Sequence, residues 1–325
     1  MRRRIRLAFI FVLLIMPSFV VSIDIPSDRF LVFDFQPTDS PVYTNAIPVN
    51  ETLLYSPSIG YGWNSVVLGS RDGGVGNELE RDLVFDSNDR YFYVDLPDGR
   101  YLLEIGLGDM NYSHDCMYVD VEAGPWDVYN ASTSAGEIKW YNVTTVVDDG
   151  QLDVLFRDTG CSNPHWSVVG IKIKAIPFTV CSSGCDYTSI QDAINNVCDG
   201  CTVVVKDGTY HENILINKNI TLIGEDPSTT VIEGDGTANT IEIQALNVRI
   251  EGFTIKGGNK YNINFDWLGH SSNITLKNNI IEENVGSVGD FGVRIIQDDP
   301  DADVKVEIEG NIFRHNKGDS VYISD

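Results

Sequence analysis

Positive charge is scarce in this chain of 325 residues: 23 Lys and Arg stand against 47 Asp and Glu, for a net charge of -24. A polyanion would be repelled, and no basic stripe exists to overcome the repulsion, so nucleic acid is not expected as a partner. Histidine is scarcer still, and His211, His270 and His315 are spread over different repeats without metal-ligand spacing. Helical periodicity is missing from the repeats and from the first half of the chain, which leaves strands to build the fold. Long apolar runs are missing except at the start, where LAFIFVLLIMPSFVV follows Arg2, Arg3, Arg4 and Arg6 and is broken by Pro17. That run is short for a membrane span, so residues 1–22 read as a signal peptide ending at Ser22, with an uncleaved anchor as the alternative. Removing it takes away four positive charges and moves the net charge to -28. Such acidity suits an exported protein in a salty or cation-rich medium, and a solvated surface explains it equally well.

The cysteines agree with export to the cell surface or beyond. Cys116 and Cys161 lie in the first half, whereas Cys181, Cys185, Cys198 and Cys201 crowd into one window. Two close pairs can hold zinc, but in an exported chain disulfides are the expectation. The expected pairs are Cys116–Cys161, Cys181–Cys185 and Cys198–Cys201, the last two chosen among the three connectivities that four cysteines allow. N-x-[ST] acceptors for glycosylation occur at Asn50, Asn111, Asn130, Asn142, Asn219 and Asn273.

The second half repeats itself. NITLKNNIIEEN (273–284) has a partner 32 residues later in KVEIEGNIFRHN (305–316), with Ile274 matching Val306, Leu276 matching Ile308, and Asn279 and Asn284 matching Asn311 and Asn316. NVRIEGFTIKGG (247–258) and NITLIGE (219–225) are earlier copies, so Ile220, Val248, Ile274 and Val306 recur at offsets of 28, 26 and 32 residues. A period in this range marks a solenoid, and apolar/polar alternation at period two makes its units strands. The expected architecture is a right-handed parallel β-helix, with coils stacked at roughly 4.8 Å. Asn279 and Asn311 then form rungs of a ladder, each passing its amide to the next coil.

The first half, residues 25–175, has longer strands and no repeat. FYVDLPDGRYLLEIGLGD (92–109) reads as a hairpin turning at Pro97, Asp98 and Gly99. FDFQPTDSPVY (33–43), GYGW (60–63), the RDLVF and FYVDLPDGRYLLEIGLGD phrases and HWSVVGIKI (165–173) resemble the galactose-binding-like jelly-roll module at the front of rhamnogalacturonan acetylesterases. The resemblance implies a carbohydrate-binding β-sandwich. It does not extend to esterase chemistry, because no GDS-type nucleophile motif with a downstream Asp and His is present.

Residues 179–325 carry a second resemblance. TVCSSGCDYTSIQDAINNVCDGCTVVVKDGTYHENILINKNITLIGE (179–225) is similar to the opening of pectate-lyase-like and NosD-like β-helix proteins, including archaeal surface proteins. Within it Ile190, Ala193, Ile194 and Val197 share one helical face, and Thr188 with Gln191 reads as a capping box, so a short helix is expected to cover the first coil. The last strand, SVYISD, has no cap, and truncation of a longer protein is the expectation. The whole chain is thus expected to be all-β: a jelly roll (25–175), then a β-helix with a short N-terminal capping helix.

Sugar rings stack on flat aromatic surfaces while Asp, Asn and Arg take their hydroxyls. On that ground Tyr61 and Trp63 of GYGW, Arg71 and Asp72 of SRDGG, and Trp140 are the candidate ligand contacts; Trp126 and Tyr141 are weaker, and Trp166 reads as core. The acidic loop QDDPDAD offers Asp298, Asp299, Asp301 and Asp303 to calcium, although the spacing is not that of an EF-hand. Lyase chemistry would need an Arg or Lys base beside calcium-holding carboxylates, and Arg294 near that loop is one Arg without a full set. Three functions fit: glycan binding or adhesion on a β-helix stalk, a polysaccharide lyase or hydrolase, and a structural component of a cell-surface layer. The partners implied are a polysaccharide or glycan, other copies of the chain, or cell-surface components.

Overall fold

The computed structural model describes residues 29–267, 272–287, 290–297 and 304–324. The segment 1–22 read as a signal peptide, His270 and the acidic residues Asp298, Asp299, Asp301 and Asp303 lie outside the described residues.

The fold is all-β as expected, an antiparallel sandwich followed by a parallel β-helix, with one short helix among the described residues, in the first coil of the β-helix. In the sandwich, one sheet carries Leu31–Phe35, Gly99–Asp109, Glu137–Val147 and Trp166–Ala175. The facing sheet is built from Tyr61–Trp63, Arg90–Asp95, His114–Val121, Val128–Thr133 and Gln151–Asp158. Alternate residues of both point inward, and Phe33, Phe35, Trp63, Phe92, Ile105, Phe156 and Trp166 are fully buried between them. Each such side chain contributes about 1.5–3 kcal/mol of burial.

One expectation is corrected here. Arg90–Asp95 pairs within the five-stranded sheet and Gly99–Asp109 within the seven-stranded one, so residues 92–109 do not form a hairpin. The turn instead carries the chain across the core, with Leu96 fully buried and the Tyr101 hydroxyl donating to the Pro97 carbonyl at 2.6 Å. Alternation fixes which face is buried but not which strand is the partner, and here burial of both apolar faces against each other outweighs the local pairing.

In the β-helix three parallel sheets stack coil on coil. The register runs Ile220–Val248–Ile274–Val306 and Leu222–Ile250–Leu276–Ile308, as the repeats require. Ile220, Val248 and Ile274 are at most 2% exposed. The asparagine ladder forms: Asn279 Nδ2 donates to Ile250 O at 2.9 Å and to Asn311 Oδ1 at 3.0 Å, Asn279 Oδ1 accepts from Phe253 N at 3.0 Å, and Asn311 Nδ2 donates to Leu276 O at 2.7 Å. Asn284 and Asn316 form a second set, bonding Lys260 O at 2.9 Å and Ile281 O at 3.0 Å.

The helix Ile190–Asn196 buries Ile190, Ala193 and Ile194. Its N-cap is Ser189, whose hydroxyl accepts from Asp192 N at 3.2 Å, so the expected Thr188–Gln191 box is shifted by one residue. The cap is completed from outside the helix, because the Glu212 carboxylate accepts from Ile190 N at 3.0 Å and Gln191 N at 2.8 Å. All three expected disulfides are formed, Cys116–Cys161, Cys181–Cys185 and Cys198–Cys201.

Candidate functional site

At one end of the sandwich a polar cleft of about 660 Å³ opens between the turn after Gly99–Asp109, the turn Ser134–Gly136 and the loop 159–165. The Cys116–Cys161 disulfide ties that loop to the strand His114–Val121. Asp115 strengthens the tie by accepting from Ser162 N and Asn163 N, both at 3.0 Å, and these backbone bonds hold its carboxyl below the usual range. Asn163 in turn donates to Ser113 O at 2.7 Å. On the opposite wall Lys139 donates to Ser132 O at 2.7 Å and stands 3.5 Å from Glu137. Thr133 also lines the cleft, and its hydroxyl is buried without a hydrogen-bond partner.

Behind the cleft lies a chain of charged groups. Arg71 is ion-paired with the fully buried Asp109, whose Oδ2 also stands 3.2 Å from His114 Nε2. His114 Nδ1 donates to the His165 carbonyl at 2.7 Å, while burial pulls the imidazole pKa down. The Arg71 guanidinium lies 4.4 Å from the centre of the Tyr112 ring, and Tyr112 is 57% exposed at the cleft mouth. Asp109 Oδ1 accepts from Asn111 N at 2.7 Å and so fixes the turn that carries Tyr112. The result is an open aromatic face backed by a cation and ringed by fixed carboxylate, amide, ammonium and hydroxyl groups, which matches a sugar ring's C–H face and hydroxyls.

Of the ligand contacts expected from the sequence, Arg71 stands behind this cleft, whereas Tyr61, Trp63, Asp72 and Trp140 do not line it. Trp63 must be withdrawn as a ligand contact: it is fully buried, packed 5.2 Å from Phe35 and 5.1 Å from Phe92, and its Nε1 donates to Asn50 O. Residues Tyr61–Trp63 of GYGW form a strand, and Tyr61 packs inward at 5.2 Å from Phe33. Gly62 between them has φ +142°, and a Cβ there would come within 2.5 Å of Tyr55 N, so the glycine serves a close backbone approach. Asp72 is clamped by Arg81 at 2.5 Å and its carboxyl is lowered to about 2 by that bond. Trp140 is half-buried on another face, with its Nε1 donating to Glu80 and the Lys172 ammonium 4.2 Å from its ring centre. Trp166 is core, as expected. Among the glycosylation motifs Asn111, Asn130, Asn142 and Asn273 are exposed. Asn219 is half-buried, and its amide bonds Asp199 at 2.7 Å and Asn247 N at 2.8 Å, bonds that a glycan would displace.

Tyr112, Asp115 and Asn163 gave no signal in the sequence beyond their residue types, because tertiary packing brings the turn after Gly99–Asp109 and the start of the strand His114–Val121 against the loop 159–165. A second exposed aromatic group was also not legible. Tyr118 lies 5.2 Å from Trp126 and 5.1 Å from Tyr129 on the outer face of the five-stranded sheet, with Arg157 over Trp126, and Tyr129 is 72% exposed. Among the described residues no group of three or more His, Cys, Asp or Glu side chains is arranged to hold a metal, and no helix is long and apolar enough to cross a membrane.

No family model matches the chain. It is 35% identical over 120 residues to Beta-agarase A of Zobellia galactanivorans, a match covering 36% of this chain and 22% of that protein. It is 38% identical over 98 residues to a Cell surface glycoprotein of Methanothermus fervidus, covering 30% of this chain and 16% of that protein. The matches thus span about a fifth of the length of either relative. A solved Bacillus subtilis protein superposes with a TM-score of 0.37 at 17% identity, covering 81% of this chain and 77% of that one.

Proposed function

We propose that the chain is an extracellular carbohydrate-binding protein that takes a glycan in the end cleft of its sandwich, with the β-helix as a rigid stalk. The observation that carries this reading is the exposed Tyr112 ring seated on Arg71 beside the fixed polar groups Asp115, Asn163, Glu137 and Lys139. The three disulfides and the likeness to a cell surface glycoprotein support a place outside the cell. A glycan array read with the wild type, Tyr112→Ala and Tyr129→Ala tests it. Loss of one stacking ring weakens binding by about tenfold. Tyr112→Ala is expected to lose its glycan signal while Tyr129→Ala keeps it; the reverse moves the site to the aromatic sheet face, and no glycan signal at all refutes the reading.

A second reading, a polysaccharide lyase or hydrolase, is favoured by the likeness to a beta-agarase. Release of reducing or unsaturated sugar ends from whatever polysaccharide the array identifies would establish it.

A further inference from the structure

We propose that Asn130 carries an N-linked glycan when the chain is exported, and that the first sugars of this glycan lie on the exposed aromatic group of Tyr129, Tyr118 and Trp126. The strand Val128–Thr133 is the last of the five-stranded sheet and pairs with His114–Val121. Between the pairs Val119↔Val128 and Met117↔Ala131 it advances three residues while its partner advances two. The extra residue makes a bulge, at which Asn130 takes a left-handed φ of +53°. Asparagine enters that region more readily than other residues with a side chain. Regular alternation would send Tyr129 and Asn130 to opposite faces, but here both are exposed while Val128, Ala131 and Thr133 stay buried. Asn130, Ala131 and Ser132 also spell an N-x-[ST] acceptor, and Ser132 is exposed. The acceptor amide thus stands one residue, about 3.8 Å along the backbone, from the open ring.

The aromatic group supplies the second, independent observation. Tyr118 stands edge-on to both Trp126 and Tyr129, and Arg157, itself paired with Asp89, lies 5.1 Å from the centre of the Trp126 ring. Tyr129 remains 72% exposed, on an edge strand, where folds usually place groups that block pairing with another chain. A tethered sugar would cover the ring with its C–H face and blunt that edge with bulk. The other acceptors lack this pairing. Asn219 has its amide engaged by Asp199, and the ring nearest Asn142 along its strand, Trp140, already has Glu80 and Lys172 as partners. The transfer itself needs a lipid-phosphate-linked oligosaccharide from the exporting cell. Asn130 Nδ2 bonds the anomeric carbon, the anomeric C–O bond breaks, the lipid phosphate leaves with the electron pair, and the amide gives up one proton.

The test uses the full-length chain exported from a glycosylating host, chosen because it modifies an N-x-[ST] tag appended to the same chain. Mass spectrometry of intact peptides reads the sugar at Asn130, and hydroxyl-radical labelling reads the accessibility of the Tyr129 ring. Both are applied to the wild type, Asn130→Gln, Ser132→Ala and Asn142→Gln. The wild-type peptide is expected to carry sugar mass at Asn130, and Asn130→Gln and Ser132→Ala to lose it. A stack of ordinary aromatic strength shields the ring enough that its loss speeds Tyr129 labelling about three- to tenfold in both variants. Asn142→Gln leaves that labelling as it is. Ser132→Ala keeps Asn130 and all three rings, so it decides the matter if glutamine disturbs the left-handed bulge. The proposal is overturned by a wild type bare at Asn130, by Tyr129 labelling unchanged in Ser132→Ala, which gives the face to another occupant, or by an equal rise in Asn142→Gln. Neither readout uses an added glycan, so the result stands apart from that of the cleft.

Discussion

Replacing Asn279 by Leu would test the physical basis of the β-helix at a single rung. Asn279 is fully buried and keeps three partners, Phe253 N, Ile250 O and Asn311 Oδ1, each within 3.0 Å. Leucine fills much the same space, so little cavity is created, but it removes the side-chain bonds to Phe253 N and Ile250 O, while Asn311 Oδ1 still accepts from the backbone N of residue 279 at 2.9 Å. Asn311 is half-buried and can take water instead, which leaves the Phe253 N–H and the Ile250 carbonyl as buried orphans. At about 1–3 kcal/mol for each orphan, less about 1 kcal/mol for the added apolar burial, the expected loss is about 3 kcal/mol. Asn311→Ala, closer to solvent, should cost about 1 kcal/mol, and the double variant should cost less than the two singles combined because they share a bond. A chain with two cores does not melt in one step, so the readout is hydrogen exchange at the Phe253 amide, where 3 kcal/mol appears as faster exchange by about two orders of magnitude. A change below about 0.5 kcal/mol for Asn279→Leu would refute the ladder as a source of stability and reduce it to a by-product of aliphatic stacking.

Burial raises the Glu122 carboxyl from 4.5 to about 7, so the folded state holds that proton more tightly than the unfolded chain. Its contribution is complete below about pH 4.5 and is lost as pH rises towards 7; thermal melts across that window should show a falling slope that Glu122→Gln removes. At the other core, Glu212→Ala removes the carboxylate that caps Ile190 and Gln191, and should cost about 1–2 kcal/mol, seen as faster exchange confined to residues 189–197. Unchanged exchange there would mean that packing of Ile190, Ala193 and Ile194 alone sets the helix.

The sequence by itself determined the repeat, the register and the ladder. Ile274 over Val306 and Asn279 beside Asn311 follow from spacing, because in a solenoid each coil meets only its neighbours and sequence distance converts directly into contact. The disulfides were legible for a similar reason, since Cys181–Cys185 and Cys198–Cys201 close over three or four residues. In the sandwich that conversion fails. Trp63 carries the residue type of a sugar contact, yet strand register turns it into the core against Phe35 and Phe92, while Tyr112 is left at the surface by a turn. Whether residues 92–109 fold back on themselves or cross between sheets was likewise undecided by their alternation, which is the same for either partner. The cleft of Tyr112, Asp115 and Asn163 joins residues 3 to 51 positions apart through loops whose course the chain pattern does not encode. Only the packing of two sheets face to face decided where those groups meet.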